Sequence, residues 1–435
     1  MKRLRVLISS HEFSPYQGSE CAVGWNIATR LAAYHDVTVL CADGPAGHRD
    51  AYRNAVSHYL ETHGRIPGLN VVFVAQPETT VRLARANRLA MQMTGGIGWQ
   101  VLYYIGLDAW HKAAFDVARR LGLSSFDVVH QLTPISFRRP GFFFRSGRPF
   151  FWGPVGGMSH VPVALARVGG WKSHVFEKLR SLSIVKDIRS PRLREVVSSA
   201  ARIWAVTGEE CRIMNEISPG KAVTMIDAAP PSHLKGYVRT FVGDKPLRLC
   251  FSGEHMVHKA LPLLLHALAQ LPKREAVHLT VLGDGPERRK WMTLASVLGL
   301  RNISWEGRLS YEDALQAMGK CDVLVHPSFR EATSMVILEA LGLGMPVICH
   351  DAYGMKIAVN ETCGITVPFE NASRSIIGFR DAIVSLLDKP ERVGQLSEGA
   401  LRRAVALSWD VKAQEIATAY HTASVAPPPS QERAS

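Results

Sequence analysis

The chain has 435 residues, 47% of them hydrophobic, enough to bury a core in each of two ordinary domains, and disorder over most of its length is excluded. A formal net charge of +13 implies an anionic partner, whether nucleic acid, a phosphorylated ligand or an anionic membrane surface, and charge alone does not choose among them. The seven cysteines are scattered with no Cys-x-x-Cys pair, as packing thiols of a cytoplasmic protein would be.

Residues 5–9 read as a buried strand, although the apolar run Val6-Leu7-Ile8 is too short for a signal peptide. Gly18 follows, either as backbone approaching a ligand or as a turn glycine, then a helix over 22–33 and a strand over 37–41. Strand, glycine loop, helix and strand open a doubly wound α/β unit, whose ligands bind at the carboxyl ends of the strands. A third strand is expected over 70–75. The helix after it groups Arg82, Arg85 and Arg88 on one side, either as a solvated face or as a membrane-surface helix with Trp99, Tyr103 and Tyr104 as anchors. Residues 126–130 form a strand ending in His130, and 150–157 a strand running into glycines. Between 167 and 194 the chain is strongly basic, with Trp171 and Phe176 among the charges, and is the candidate contact with an anionic surface. Residues 203–207 are expected to be the last strand of the first domain, followed by a Pro-containing linker.

A second α/β unit starts at 247, with a helix over 261–271 and strands at 279–282, 303–306, 323–325, 347–349 and 365–367. No apolar run approaches the roughly 18 residues of a membrane-spanning helix, so a soluble or peripheral protein is expected. The most informative stretch is 328–344. A strand ends at His326-Pro327-Ser328, Thr333 or Ser334 offers a helix cap, and a short helix apolar on every face follows until Gly342, Gly344 and Pro346 stop it. Glu339 sits inside that helix. A buried carboxylate needs either a salt bridge or a ligand carrying hydroxyls, because burying it unpaired costs several kcal/mol. The amides of Ser334 and Met335 at the helix start favour an anion such as a diphosphate. Glu331, those amides and Glu339 would meet in turn a polyol, a diphosphate and a ribose, which together make a nucleotide sugar.

The spacing Ser328-x-x-Glu331 with Glu339 eight positions further on, followed by Ala340, Gly344, Pro346 and Val347, resembles the signature of the family 4 retaining glycosyltransferases. The resemblance extends over 247–409 and more loosely into the N-terminal half. It implies the α/β GT-B fold, in which two Rossmann-like doubly wound parallel-sheet domains face a cleft. An acceptor-binding domain would span 1–230, a linker 231–246 and a nucleotide-sugar domain 247–407; a helix over 408–425 would pack back on the first domain, and 426–435 would be a disordered tail.

The resemblance also assigns roles. Lys259, six residues after Gly253, matches the family's phosphate lysine; Glu331 would bind the donor sugar's hydroxyls, and Glu339 the ribose. Asp284 and Gly285 match the loop near the base, and His130 the strand whose exit faces donor and acceptor. The chain departs from the pattern at Leu132, where many members carry a second histidine, and at Glu254, where most carry an arginine; Arg330, Arg308, His255 or His258 could supply the missing charge. No Asp-x-Asp motif has a suitable setting, so no cofactor or metal is expected. The expected partners are a nucleotide-sugar donor, a saccharide or lipid-linked acceptor and an anionic membrane surface, but no nucleic acid. An isomerase or phosphorylase on a similar scaffold, or a basic nucleic-acid-binding protein, remains the competing class.

Overall fold

The computed structural model describes residues 2–18, 20–45, 48–93, 100–166 and 170–425. Trp99, Arg167 and the expected tail at 426–435 lie outside them. Strands β1 (Arg5–Ser10), β2 (Asp36–Ala42), β3 (Leu69–Val74), β4 (Val128–Thr133), β5 (Phe150–Val155), β6 (Ala200–Ala205) and β7 (Ala222–Thr224) form one sheet in the order β3-β2-β1-β4-β5-β6-β7. A second sheet follows the order β10-β9-β8-β11-β12-β13, from β8 (Leu247–Ser252), β9 (Val277–Leu282), β10 (Ile303–Gly307), β11 (Val323–His326), β12 (Val347–His350) and β13 (Gly364–Val367). Every pairing is parallel, as the near-continuous apolar strands require when helices cover both faces of a sheet. Each sheet reverses its winding beside its first strand, between β1 and β4 and between β8 and β11. In doubly wound sheets the crevice at that reversal holds the ligand.

The first domain differs from expectation at its edge. Residues 203–207 do not close the sheet, because β7 pairs beyond β6, with Ala222 opposite Ile203 and Thr224 opposite Ala205. Three residues are too few to show a strand's period. The helix Glu78–Met93 carries Arg82 as a solvated ion pair with Glu78, and the ring of Tyr104, an expected membrane anchor, lies under Arg139.

After the second sheet the chain returns to the first domain. The helix Trp409–Val425 buries Ala413, Ile416, Ala417 and Tyr420 in the core that also holds Ile8, Val39 and Phe151. Arg30 pairs with Asp410 at 2.8 Å, and the Trp204 indole donates to Glu415 at 3.1 Å.

The basic stretch folds as the helices Gly170–Ile188 and Pro191–Ser199. Beside them the domains touch: Val161, Leu165 and Ala166 of the first pack on Ala260, Leu263 and Phe329 of the second, and the Tyr353 hydroxyl donates to the His160 carbonyl at 2.9 Å.

Candidate active site

Three loops of the second domain meet where its strands end. Gly253, after β8, has φ +151°, and Gly283 and Gly285, after β9, have φ +107° and +157°. A side chain on Gly283 would meet the Gly253 carbonyl at 2.1 Å, and one on Gly285 the His255 backbone at 2.8 Å. Glycine is therefore required by close backbone approach as well as by conformation. The His255 amide donates to the Asp284 carbonyl at 2.9 Å, and the Asp284 carboxylate accepts from the Gly285 amide at 2.7 Å.

Lys259 emerges from the turn after β8, its methylenes against Gly253, and its ammonium forms an ion pair with Glu331, which follows β11. His326, the last residue of β11, lies 3.5 Å from the same Glu331 oxygen and 3.2 Å from the Ser334 hydroxyl. Burial pushes the Glu331 carboxyl up, but His326 and the Lys259 ammonium outweigh it and hold the carboxyl at about 2. His326 is itself fully buried, which pushes its ring below the usual range. Nothing in the motif spacing marked His326 beyond its place at a strand end.

The helix Met335–Gly342 begins beside this pair. Ser334 does not cap it with its side chain, and among the described residues the amides of Met335 and Val336 donate to no protein acceptor, which leaves the donors of the helix start open. Met335 itself is exposed. One turn in, Glu339 is pushed up by burial and lies near enough to Tyr311 for the two groups to interact, a neighbour the sequence did not reveal.

Of the four residues that could replace the missing arginine, three are engaged or neutral. Arg330 is engaged on both sides, by Glu177 of the first domain at 2.9 Å and by the His258 ring at 3.4 Å. His255 is enclosed by Phe251, Trp291 and Trp305, and burial pushes His258 down to about 4. Arg308 is exposed and makes no ion pair among the described residues.

The first domain contributes less than its sequence promised. His130 does not face the cleft. Both ring nitrogens are satisfied inside the core, one by the Tyr420 hydroxyl at 2.5 Å and one by the Gly153 carbonyl at 2.7 Å, and burial pushes the ring to about 4. An enclosed imidazole whose N–H is committed to the Gly153 carbonyl and whose other nitrogen accepts from Tyr420 does not exchange protons with a substrate, so His130 is removed from the site. At the β1 and β4 exits a different set appears: the Ser10 and Thr133 hydroxyls meet at 3.0 Å, the Glu12 amide donates to Thr133, and Glu20 lies close enough to Glu12 and Asp227 for their charges to interact. Burial and the Glu12 charge push the Glu20 carboxyl up to about 8. Asp227 in turn neighbours Thr333, just before the helix Met335–Gly342. Gly18 is exposed with open space where a side chain would stand.

Residues 239–403 match the family model of the group 1 glycosyl transferases. The second domain is a group 1 glycosyl transferase domain. Among the relatives of the chain, the alpha-D-kanosaminyltransferase of Streptomyces kanamyceticus is 30% identical over 161 residues, 36% of this chain and 40% of that protein. The D-inositol 3-phosphate glycosyltransferase of Saccharomonospora viridis is 27% identical over 266 residues, 54% of this chain and 60% of that protein. The chain thus spans about half the length of these relatives. The crystal structure of Anabaena HepE in complex with UDP and glucose superposes with a TM-score of 0.54 at 15% identity, over 97% of this chain and 100% of that one. That likeness is one of fold, and the group 1 domain and its partner sheet form the GT-B arrangement.

Proposed function

We propose that the protein is a retaining, metal-independent glycosyltransferase that moves a hexosyl group from a nucleotide-sugar donor to a saccharide or lipid-linked saccharide. The observation that carries this reading is the Lys259–Glu331 pair at the reversal of the second sheet, beside a helix start with open amides. The pair neutralises itself between two loops of the second domain. A donor whose diphosphate takes Lys259 and whose sugar hydroxyls take Glu331 replaces one pairing with two.

As the bond from the anomeric carbon to the diphosphate lengthens, negative charge grows on the phosphate beside Lys259 and the helix amides. Positive charge grows on the sugar beside Glu331. Both contacts therefore strengthen in the transition state, which is what lowers the barrier. Lys259 and the helix dipole supply the positive charge that a metal gives elsewhere. Glu339, half-buried near Tyr311, is assigned to the ribose. Attack by the acceptor hydroxyl on the face the phosphate leaves, with that phosphate taking the proton, retains configuration.

We place the reaction at an anionic membrane, the inner face of the cytoplasmic membrane, in the assembly of a cell-envelope or secreted polysaccharide. The helix Gly170–Ile188 supports this with exposed Trp171, Val175, Leu179 and Leu182 at helical spacing, flanked by exposed Lys178 and Lys186. Arg180 is not part of that face, since it turns inward to Glu177 and the Ser159 carbonyl. No helix among the described residues is long and apolar enough to cross a membrane.

A thermal-shift panel of UDP-, GDP-, ADP- and dTDP-sugars tests the donor class, because a ligand of the folded state raises stability with occupancy. A shift with one donor, acceptor-dependent release of the nucleoside diphosphate and activity in EDTA support the reading. Turnover without acceptor or only with inorganic phosphate identifies an isomerase or phosphorylase instead. Sedimentation with anionic but not neutral vesicles, lost in Lys178→Ser/Lys186→Ser, tests the surface.

A further inference from the structure

Glu177 lies on the helix Gly170–Ile188 but belongs to its inner side: it and Ile184 are buried, while Val175, Leu179 and Leu182 face outward. A carboxylate on the inner side of a helix costs several kcal/mol unless paired. Here it accepts from Arg330 at 2.9 Å and from Arg180 at 3.4 Å. The shorter contact belongs to the other domain. Arg330 also lies over the Phe176 ring and 3.4 Å from His258, the neighbour of Lys259, while the Phe329 amide donates to the His258 carbonyl at 2.9 Å. Arg330 is the residue directly before Glu331. The two side chains diverge, one to the first domain and one to Lys259.

We infer that Glu177 is a positioning residue: it grips Arg330 across the cleft and thereby holds the segment that sets the Glu331 carboxylate for transfer. The inference rests on the assignment of Glu331 to the donor sugar and adds a first-domain residue to the chemistry of the second. Lys259, the helix amides and Glu339 do not depend on the grip, so donor binding survives its loss while the transition-state alignment of Glu331 does not.

The test is a kinetic cycle of Glu177→Gln, Arg330→Met and the double variant, using whichever nucleotide sugar the wild type turns over. Glu177→Gln is expected to lower kcat about tenfold with the donor KM within about twofold, and the double variant to lose no more than either single one. Losses that add would mean Glu177 acts within its own domain, and a KM raised only by Arg330→Met would mean Arg330 touches the donor itself; either overturns the inference. Hydrogen exchange of residues 328–334 reads the link without a substrate: faster exchange in Glu177→Gln supports it, and unchanged exchange overturns it. If the wild type turns over no nucleotide sugar, the proposed function fails while this exchange result still decides the grip.

Discussion

The two domains wind their sheets alike and use a strand histidine in opposite ways. His326 closes β11 and stands beside Glu331 and Ser334, at the mouth of the crevice. His130 lies within β4, three residues before its end, and turns into a core sealed by the returning C-terminal helix. A difference of three residues along a strand separates a group that shapes a site from one that holds two segments together. The lesson is that chemistry in a doubly wound sheet collects on the loops after the strands, while side chains within the strands serve packing.

The sharpest way to break that comparison is to remove the loop residues. Lys259→Ala or Glu331→Ala is expected to lower transfer by about 10²–10³ or more while leaving the circular dichroism spectrum and melting cooperativity unchanged, because both groups act on charge that develops at the reacting centre. Turnover near wild type in either would undo the site.

The strand residue should behave in reverse. His130→Ala leaves the Tyr420 hydroxyl and the Gly153 carbonyl unpaired in the core, so a loss of about 2–4 kcal/mol in denaturant unfolding is expected, with kcat of the folded fraction within about twofold of wild type. A kcat loss without a stability loss would return His130 to the site.

Glu339→Gln should cost about tenfold in donor affinity with little change in the rate of the bound complex, since a ribose contact is alike in ground and transition states. Calorimetric titration with the preferred nucleoside diphosphate reads it, and an unchanged affinity would sink the ribose assignment.

The effect farthest from the proposed chemistry lies at the β1 exit. Glu20 is raised from 4.5 to about 8, so the folded state keeps a proton that the unfolded chain has released, and stability falls as pH rises through that window. Glu20→Gln should therefore stabilise the protein at pH 8 by roughly 1–3 kcal/mol and hardly at pH 4. Glu331 has the opposite sign: its depressed carboxyl stabilises the fold above about 4.5, and that contribution is lost as pH falls toward 2. Equal melting of wild type and Glu20→Gln across the range would show that Glu20 titrates normally.

The alternation of strands and helices and the motif over 328–344 were legible because each is local: a strand, a turn and a helix that follow one another between residues 323 and 342 carry their own signal. The pairings were not. What decides His130 is Tyr420, 290 residues away, and what occupies Arg330 is Glu177, 153 residues before it. Strand β7 escaped notice because three residues carry no period. Tyr311 gave no signal, since a tyrosine opening an amphipathic helix is unremarkable until the fold brings it to Glu339.

The most direct measurement is a crystal structure of the protein with the nucleotide sugar that gives the largest thermal shift. The account predicts the diphosphate on Lys259 and the amides opening the helix Met335–Gly342, the sugar hydroxyls on Glu331 and the ribose on Glu339, with His130 still bonded to Tyr420. A donor bound at the first sheet's β1 and β4 exits, or one whose diphosphate lies away from Lys259, would contradict it.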